Sequence, residues 1–342
     1  MSGGVDSSVS ALLLKENGYD VIGTTLELFK GSSCCNIDTY IDAKNICNQI
    51  GVPHFTYDYK KEFKEHVIDD FICCYRNQRT PNPCIECNKY LKFGIMFEKA
   101  KELGCEYIAT GHYAKMEYSE KYGRYVIKKA NNIAKDQSYV LYSMPKELLG
   151  KVLFPLGEFS SKDEVRKIAR DNNLKVANKP DSEDICFIPD GNYKKFLENN
   201  SDIKPNPGNI VHIDGTVLGK HNGLYNYTIG QRKGLGISYK EPLFVVGFNK
   251  EKNELIVGEQ DKIYKKEMLV NEINLLLIDE LNEPMEVNVK TRYSSKEEKA
   301  IIAMHDEDTI KVTFENPVAR ITPGQSAVFY IDDIVVGGGK II

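Results

Sequence analysis

The chain has no tryptophan, no run of about eighteen apolar residues that would cross a membrane, no internal repeat and no low-complexity segment. The missing tryptophan excludes no function, since 20 Tyr and 14 Phe supply the aromatic mass. The first residues are polar and Gly-rich where a secretory signal would be basic and then apolar, so a soluble, cytoplasmic protein with no membrane partner is expected. An excess of charge of one sign is also lacking. Lys+Arg 45 against Asp+Glu 49 leaves −4, which gives no global attraction to nucleic acid. The balance is uneven along the chain, however. Residues 121–135 hold five basic side chains and no acidic one, residues 201–250 hold six against three, and residues 251–300 hold eight against twelve. The two basic stretches are where phosphate contacts are expected.

With 342 residues, 42% hydrophobic and 27% charged, the chain buries a full core and is too long for one compact domain. Up to about residue 190, short apolar runs alternate with helical periods: strands at 21–28, 53–59 and 105–110, helices at 38–50, 61–75 and 88–104. Such alternation predicts a parallel sheet covered by helices. A hairpin at 114–118 and 125–129 follows, then a helix from about Gln137. Ser161-Lys162-Asp163-Glu164 is a capping box opening a helix to about Asn172. Residues 172–191 read as a partly exposed connection. Beyond 195 apolar residues alternate with period two between Gly, Asn, Pro and Asp turns, with almost nothing helical. The predicted architecture is an α/β parallel-sheet nucleotide-binding domain at 1–194, followed by two small all-β domains at 195–261 and 262–342.

Ser2-Gly3-Gly4-Val5-Asp6-Ser7-Ser8, followed by an apolar helix and Gly18, is the most informative segment. Two glycines let the backbone approach an anion, the hydroxyls add donors, and the helix aims its unpaired N–H groups at the same place. The Walker pattern is not met, because its Lys before Ser/Thr is lacking. The loop resembles that of the ATP pyrophosphatase (PP-loop, adenine nucleotide α-hydrolase-like) enzymes, which split ATP into AMP and pyrophosphate to adenylate a substrate oxygen. A loop of this kind follows a central buried strand, so Met1 is expected to be an internal methionine, with roughly ten further residues, that strand among them, upstream of it. Mass measurement of the native protein tests this.

Nine cysteines are an odd number, and several stand in close pairs, a pattern that suits thiol chemistry or metal binding better than a disulfide framework. Thr80-Pro81-Asn82-Pro83-Cys84-Ile85-Glu86-Cys87-Asn88-Lys89 places two thiols on a Pro-stiffened loop at a helix start, where thiolate is favoured. One CxxC is a weak zinc signal, since four ligands are normally needed, and redox chemistry or a cluster completed by a distant Cys stays open. The distant candidate is Cys186, in an acidic, turn-like run before Phe187 and Ile188.

The seven motifs are Ser2 to Ser8; Asn82-Pro83 with Cys87-Asn88; Ala109-Thr110-Gly111-His112-Tyr113-Ala114; Lys135-Asp136-Gln137-Ser138-Tyr139; Asp181 to Ile188; Tyr227-Thr228-Ile229-Gly230-Gln231-Arg232-Lys233-Gly234-Leu235-Gly236; and Pro323-Gly324-Gln325-Ser326. Together, in this order and across essentially the whole chain, they resemble the bacterial tRNA-specific 2-thiouridylases. The resemblance implies a sulfurtransferase in which ATP with Mg2+ activates the C2 oxygen of wobble uridine U34 and persulfide sulfur replaces it. The products are 2-thiouridine, AMP and pyrophosphate. It further implies that Met1, Ser2, Gly3, Gly4, Val5, Asp6, Ser7, Leu26 and Gly111 hold ATP. Cys186 would carry the persulfide, and Cys87 would attack it, leaving a Cys87–Cys186 disulfide. Asn82, Pro83 and Cys84 would face the target base, while His112, Lys135, Asp136, Gln137, Arg292, Tyr293 and Gln325 would contact tRNA. The implied partners are tRNAs for Lys, Glu and Gln and a cysteine desulfurase or sulfur-relay protein.

One position departs from the pattern. The family commonly has an acidic residue where this chain has Cys84, and a thiol does not inherit an acid/base role. Cys84, Cys87 and Cys186 would also be three soft ligands for a four-iron iron–sulfur cluster with one iron open to hydrosulfide. Two other functions stay open on sequence alone: an ATP-dependent amidating enzyme on the same nucleotide fold, and a non-catalytic RNA-binding protein with a structural metal site.

Overall fold

The computed structural model describes residues 1–29, 37–180 and 185–342; Cys34, Cys35 and the run from Asp181 to Asp184 lie outside the described residues. The chain divides into two units: residues 1–68, 83–191 and 332–336 form the first, and residues 69–82, 192–331 and 337–342 the second.

The first unit opens on helix α1 (Val5–Glu16), whose buried Val5, Val9 and Leu12 face a core completed by Tyr113, Leu156, Val165 and Ala169. Asn17 ends it, and Gly18 at φ +85° turns the chain back, a left-handed conformation that glycine adopts without cost. Strands β1 (Gly23–Glu27) and β2 (His54–Asp58) pair in parallel, linked by helix α2 (Ile37–Ile50). A second parallel pair joins β3 (Ile108–Ala109) to β6 (Val152–Leu153), and between them β4 (Ala114–Ser119) and β5 (Arg124–Lys129) form the expected antiparallel hairpin. Ile334 pairs with Lys128 of β5. Ser161 caps the helix Lys162–Asp171, its hydroxyl accepting from Glu164 N at 3.3 Å as the capping box predicts.

The helix expected from Gln137 does not form. Asp136 is extended at ψ 129°, and its carboxylate accepts from Ala130 N, Ser138 N and the Ser138 hydroxyl, so the backbone is held in short 3-10 turns over Ser138–Leu141. The helix expected at 88–104 starts earlier, at Pro83, which suits a first helical position because it lacks the N–H that would go unpaired there. Its middle, Cys87–Ile95, is wound with i→i+5 bonds, and Met96–Glu102 returns to regular α. Wide turns of this kind recur at functional sites.

In the second unit, strands β7 (Gly208–His212), β8 (Val217–His221), β9 (Phe244–Asn249) and β10 (Glu254–Gly258) make a sheet in the order β8-β7-β10-β9 over Ile210, Leu243, Val245, Leu255 and Val257. Strands β11 (Tyr264–Leu275), β12 (Met285–Lys290), β13 (Glu298–Met304), β14 (Ile310–Ala319), β15 (Ser326–Ile331) and β16 (Ile334–Ile341) run in the order β11-β14-β13-β12-β15-β16, and β16 pairs back onto β11, which closes a barrel and removes its edges. A helix at Tyr193–Asn200 extends past the point where helices were expected to stop. Asn192 caps it by accepting from Lys195 N at 3.1 Å, and its Phe196 packs on Phe71 at 6.1 Å.

Candidate active site

The phosphate loop is built by close approach. Gly3 sits at φ +61°, and a Cβ there would stand 2.7 Å from the main-chain oxygen of Thr39, so no larger residue fits without moving backbone. Gly4 is extended at the helix N-cap and no side chain caps α1. The Ser7 and Ser8 hydroxyls turn back onto the Gly4 carbonyl at 3.2 and 2.8 Å, while Ser2 N donates to Ser7 Oγ at 3.1 Å. The Ser7 and Ser8 hydroxyls are thus committed to the Gly4 carbonyl, and the donors offered to a polyphosphate at the amino end of α1 are the amides that a helix leaves unpaired in its first turn. Thr25 Oγ1 donates to Met1 O at 2.8 Å, and Leu26 follows on β1, paired with Tyr57.

Gly111 closes the loop's far side: a Cβ on it would lie 2.9 Å from Asp6 C and from Ser7 N. Its neighbours secure that approach. The Tyr113 hydroxyl donates to Asp6 Oδ1 at 2.9 Å, and the Tyr113 backbone exchanges hydrogen bonds with Gln137, donating to its Oε1 and accepting from its N. His112 is buried, with Thr110 Oγ1 against its Nδ1 at 2.8 Å, and is flanked by Phe93 and Phe154. Burial, and then the Lys92 ammonium, hold its pKa well below 6.5, so the ring is neutral. Asp136 and Gln137 are likewise spent on backbone groups, and Lys135 is half-buried.

The thiols sit on the helix from Pro83. Cys87 is buried where the regular turn widens, and Cys84 is exposed by surface area. Cys84 nonetheless stands deep enough among protein atoms that desolvation raises its thiol pKa above 9.0, opposed by Lys92. The following residue, Asn88, is buried and donates Nδ2 to Val140 O at 2.9 Å, while Ser143 Oγ donates to Ile85 O at 3.3 Å. These two bonds tie the thiol-bearing turn to the segment that starts at Gln137. Cys186 is half-buried, and its neighbour Phe187 packs edge-on against Phe63 at 5.7 Å and Phe29 at 6.3 Å. Among the described residues no three His, Cys, Asp or Glu side chains come together so as to hold a metal ion. The iron–sulfur arrangement on Cys84, Cys87 and Cys186, which the sequence left open as a second possibility, has no such grouping among the described residues.

In the second unit two motifs converge on the run before Asn82. Gln325 Nε2 donates to Thr80 O, Thr80 N donates to Pro323 O at 2.9 Å, and Thr80 Oγ1 donates to Thr228 Oγ1 at 3.3 Å. Arg292 Nη2 donates to Ile229 O at 3.2 Å and to the Thr322 hydroxyl, leaving Tyr293 exposed beside it. Of the basic residues expected on phosphate, Lys128 is already bridged to Glu117 and Asp333, each at 3.1 Å.

Sequence reasoning passed over two lysines that meet the loop. Lys162 was read only as part of a helix cap, yet its ammonium binds both Asp6 oxygens, at 2.5 and 2.6 Å. Lys179 donates to Gly3 O at 2.9 Å and to Asp42 Oδ2 at 3.0 Å. Neither lies in the loop's own string, so no local pattern exposes them.

A glycine-rich loop opening an uncapped helix beside parallel strands, without the Walker lysine, defines a nucleotide-binding protein of the PP-loop class. The comparisons agree with that reading. The family model described as tRNA methyl transferase HUP domain matches residues 1–190, a tRNA methyl transferase PRC-barrel domain residues 194–259, and an aminomethyltransferase beta-barrel domain residues 265–341. Similar proteins include tRNA-specific 2-thiouridylase MnmA of Clostridioides difficile (strain 630), 46% identical over all of this chain and 96% of its own length. That of Caldicellulosiruptor saccharolyticus is 48% identical, with the same coverage of 100% and 96%. A solved structure, U34-tRNA thiolase NcsA from Methanococcus maripaludis, aligns over 59% of this chain and 66% of its own at 19% identity and a TM-score of 0.37, too low to carry residues across. The chain belongs to the tRNA-specific 2-thiouridylase family.

Proposed function

We propose that this chain converts the wobble uridine U34 of tRNA to 2-thiouridine, in the tRNAs for Lys, Glu and Gln, using Mg2+-bound ATP and sulfur delivered as a persulfide by a cysteine desulfurase or a sulfur-relay protein. The observation that carries the reading is the amino end of α1, uncapped by any side chain and approached by Gly111. Residues 1–7 with Leu26 and Gly111 hold the nucleotide, and the loop amides take the charge of the departing pyrophosphate. The uracil C2 oxygen attacks the α-phosphorus, the bond to pyrophosphate breaks, and the oxygen becomes part of a good leaving group, AMP. Cys186 accepts the outer sulfur. The Cys87 thiolate attacks the Cys186 sulfur, forming the Cys87–Cys186 disulfide and releasing hydrosulfide, which adds to C2 as AMP departs with the original oxygen. A thiol reductant supplies two electrons to reset the disulfide.

Cys84 keeps its proton at neutral pH, its pKa being raised by burial, and so acts toward the base with Asn82 and Pro83 as a neutral group rather than as a carboxylate. The buried His112 and Asp136 and the half-buried Gln137 serve tRNA binding by fixing the loop that presents Lys135. Arg292, Tyr293 and Gln325 grip the RNA from the barrel unit. Nucleoside mass analysis of tRNA incubated with ATP, Mg2+ and a persulfide donor tests the reading: 2-thiouridine at U34 and one AMP per thiolation are expected, and AMP without thiolation overturns it.

A further inference from the structure

The PP-loop supplies amides but no cation, and it carries the negative charge of Asp6 into the first turn of α1, where phosphates are to bind. A triphosphate brought to such a place needs positive charge from elsewhere. Two ammonium groups meet the loop, one on each side of Gly4 and Val5. Lys162, from the helix Lys162–Asp171, neutralises Asp6 with its Nζ 2.5 Å from Oδ2, stands over the Tyr113 ring at 5.6 Å and is only 13% exposed. Lys179 reaches the Gly3 carbonyl and Asp42. One helix organises both: Arg166, a turn beyond Lys162, donates to Ala177 O at 2.7 Å and to Lys179 O at 2.9 Å, which fixes the backbone that carries Lys179.

We propose that Lys162 and Lys179 are phosphate-binding residues of the nucleotide site, contacting the β- and γ-phosphates of ATP and the pyrophosphate that leaves. This rests on the ATP-dependent reading above. Asp6 and the Gly3 carbonyl hold the two ammonium groups at the loop until phosphate oxygens replace them as partners. The Asp6 carboxylate released by Lys162 then faces the Mg2+ that accompanies the triphosphate, so the exchange leaves no charge unpaired.

Calorimetric titration of the full chain with ATP, with pyrophosphate and with AMP, each in Mg2+, separates the possibilities. Lys162→Met and Lys179→Met are each expected to weaken ATP and pyrophosphate about tenfold or more, the equivalent of one charge-assisted contact, and to change AMP less than about twofold. Unchanged ATP affinity overturns the proposal, and so does an equal loss for AMP, which marks a structural role. Because Lys162→Met also strands the Asp6 carboxylate, the double variant Asp6→Asn/Lys162→Met is compared with Asp6→Asn alone. A remaining loss of about tenfold supports direct phosphate contact, whereas equal affinities show that Lys162 only neutralises Asp6 and overturn its assignment. Lys179→Met gives an independent arm if Lys162→Met does not fold. A parent chain that binds neither ATP nor pyrophosphate overturns the ATP-dependent reading together with this one, while a binding parent with unimpaired variants overturns this one alone.

Discussion

The side-chain amide of Gln325 donates to the main-chain oxygen of Thr80 at 2.8 Å and to that of Pro81 at 3.2 Å. Gly324, at φ +89°, makes this approach feasible, because a Cβ there would stand 2.9 Å from Thr80 N. Gln325, proposed above to meet the RNA, thus also clamps the run that leads into Asn82.

Replacing that clamp has a defined cost. Gln325→Ala removes two donors from half-buried carbonyls and is expected to destabilise the chain by about 1–2 kcal/mol, seen as a lower urea midpoint at unchanged slope. Gln325→Glu sets a carboxylate against the same two carbonyls, so its midpoint is expected to fall further than that of the alanine variant.

Gly111→Ala places a methyl group 2.9 Å from two backbone atoms of α1, neither of which is a flexible side-chain end. The first turn of α1 has to shift. A loss of about 1–3 kcal/mol in stability is expected by overpacking, together with weaker ATP binding in calorimetry. Unimpaired nucleotide affinity would show that the loop does not depend on this contact.

His112 is neutral in the folded chain because burial depresses its pKa well below 6.5. The unfolded chain takes up a proton near 6.5, so below that pH it binds more protons than the folded chain and stability falls as pH falls. Thermal unfolding between pH 7.5 and the acid range, around the ordinary histidine value of about 6.5, is expected to show a smaller acid-side decline for His112→Gln than for the parent. Equal declines would place the proton uptake elsewhere.

Cys84 is accessible yet holds its proton, its pKa being raised above 9.0 by desolvation. Alkylation of Cys84 by iodoacetamide, followed by peptide mass analysis, is expected to be slow at neutral pH and still accelerating above pH 9, because the thiolate is the reactive form. A rate that levels off below the ordinary thiol pKa of about 8.5 would contradict this.

Much of the fold was legible because it is written locally. The apolar periods gave β1, β2 and α2, the Ser161 box gave the start of its helix, and period-two alternation gave the all-β texture beyond the nucleotide domain. The missed helix at Gln137 failed for a physical reason: Asp136 spends its carboxylate on Ala130 and Ser138, a bond no helical periodicity reveals. The loop at the candidate site was legible from its glycines, whereas Lys162 and Lys179 were not. Their partners lie more than 130 residues away in sequence, at separations of 156 for Asp6 and of 176 and 137 for Gly3 and Asp42.

The wide-turn segment Cys87–Ile95 stands between a thiol end secured by Asn88 and a far end anchored by the buried Phe97 and Ala100. Each residue of an α-helix turns its neighbours by about 100°, so the extra residue held per wide turn sets the phase of one end against the other. Deleting a single residue there would let the segment relax to ordinary α winding. With the hydrophobic anchor in place, any turning of Cys87 to a different side of the helix would carry the buried Asn88 off the Val140 carbonyl, so the aim of the thiol and the fold around it are lost together.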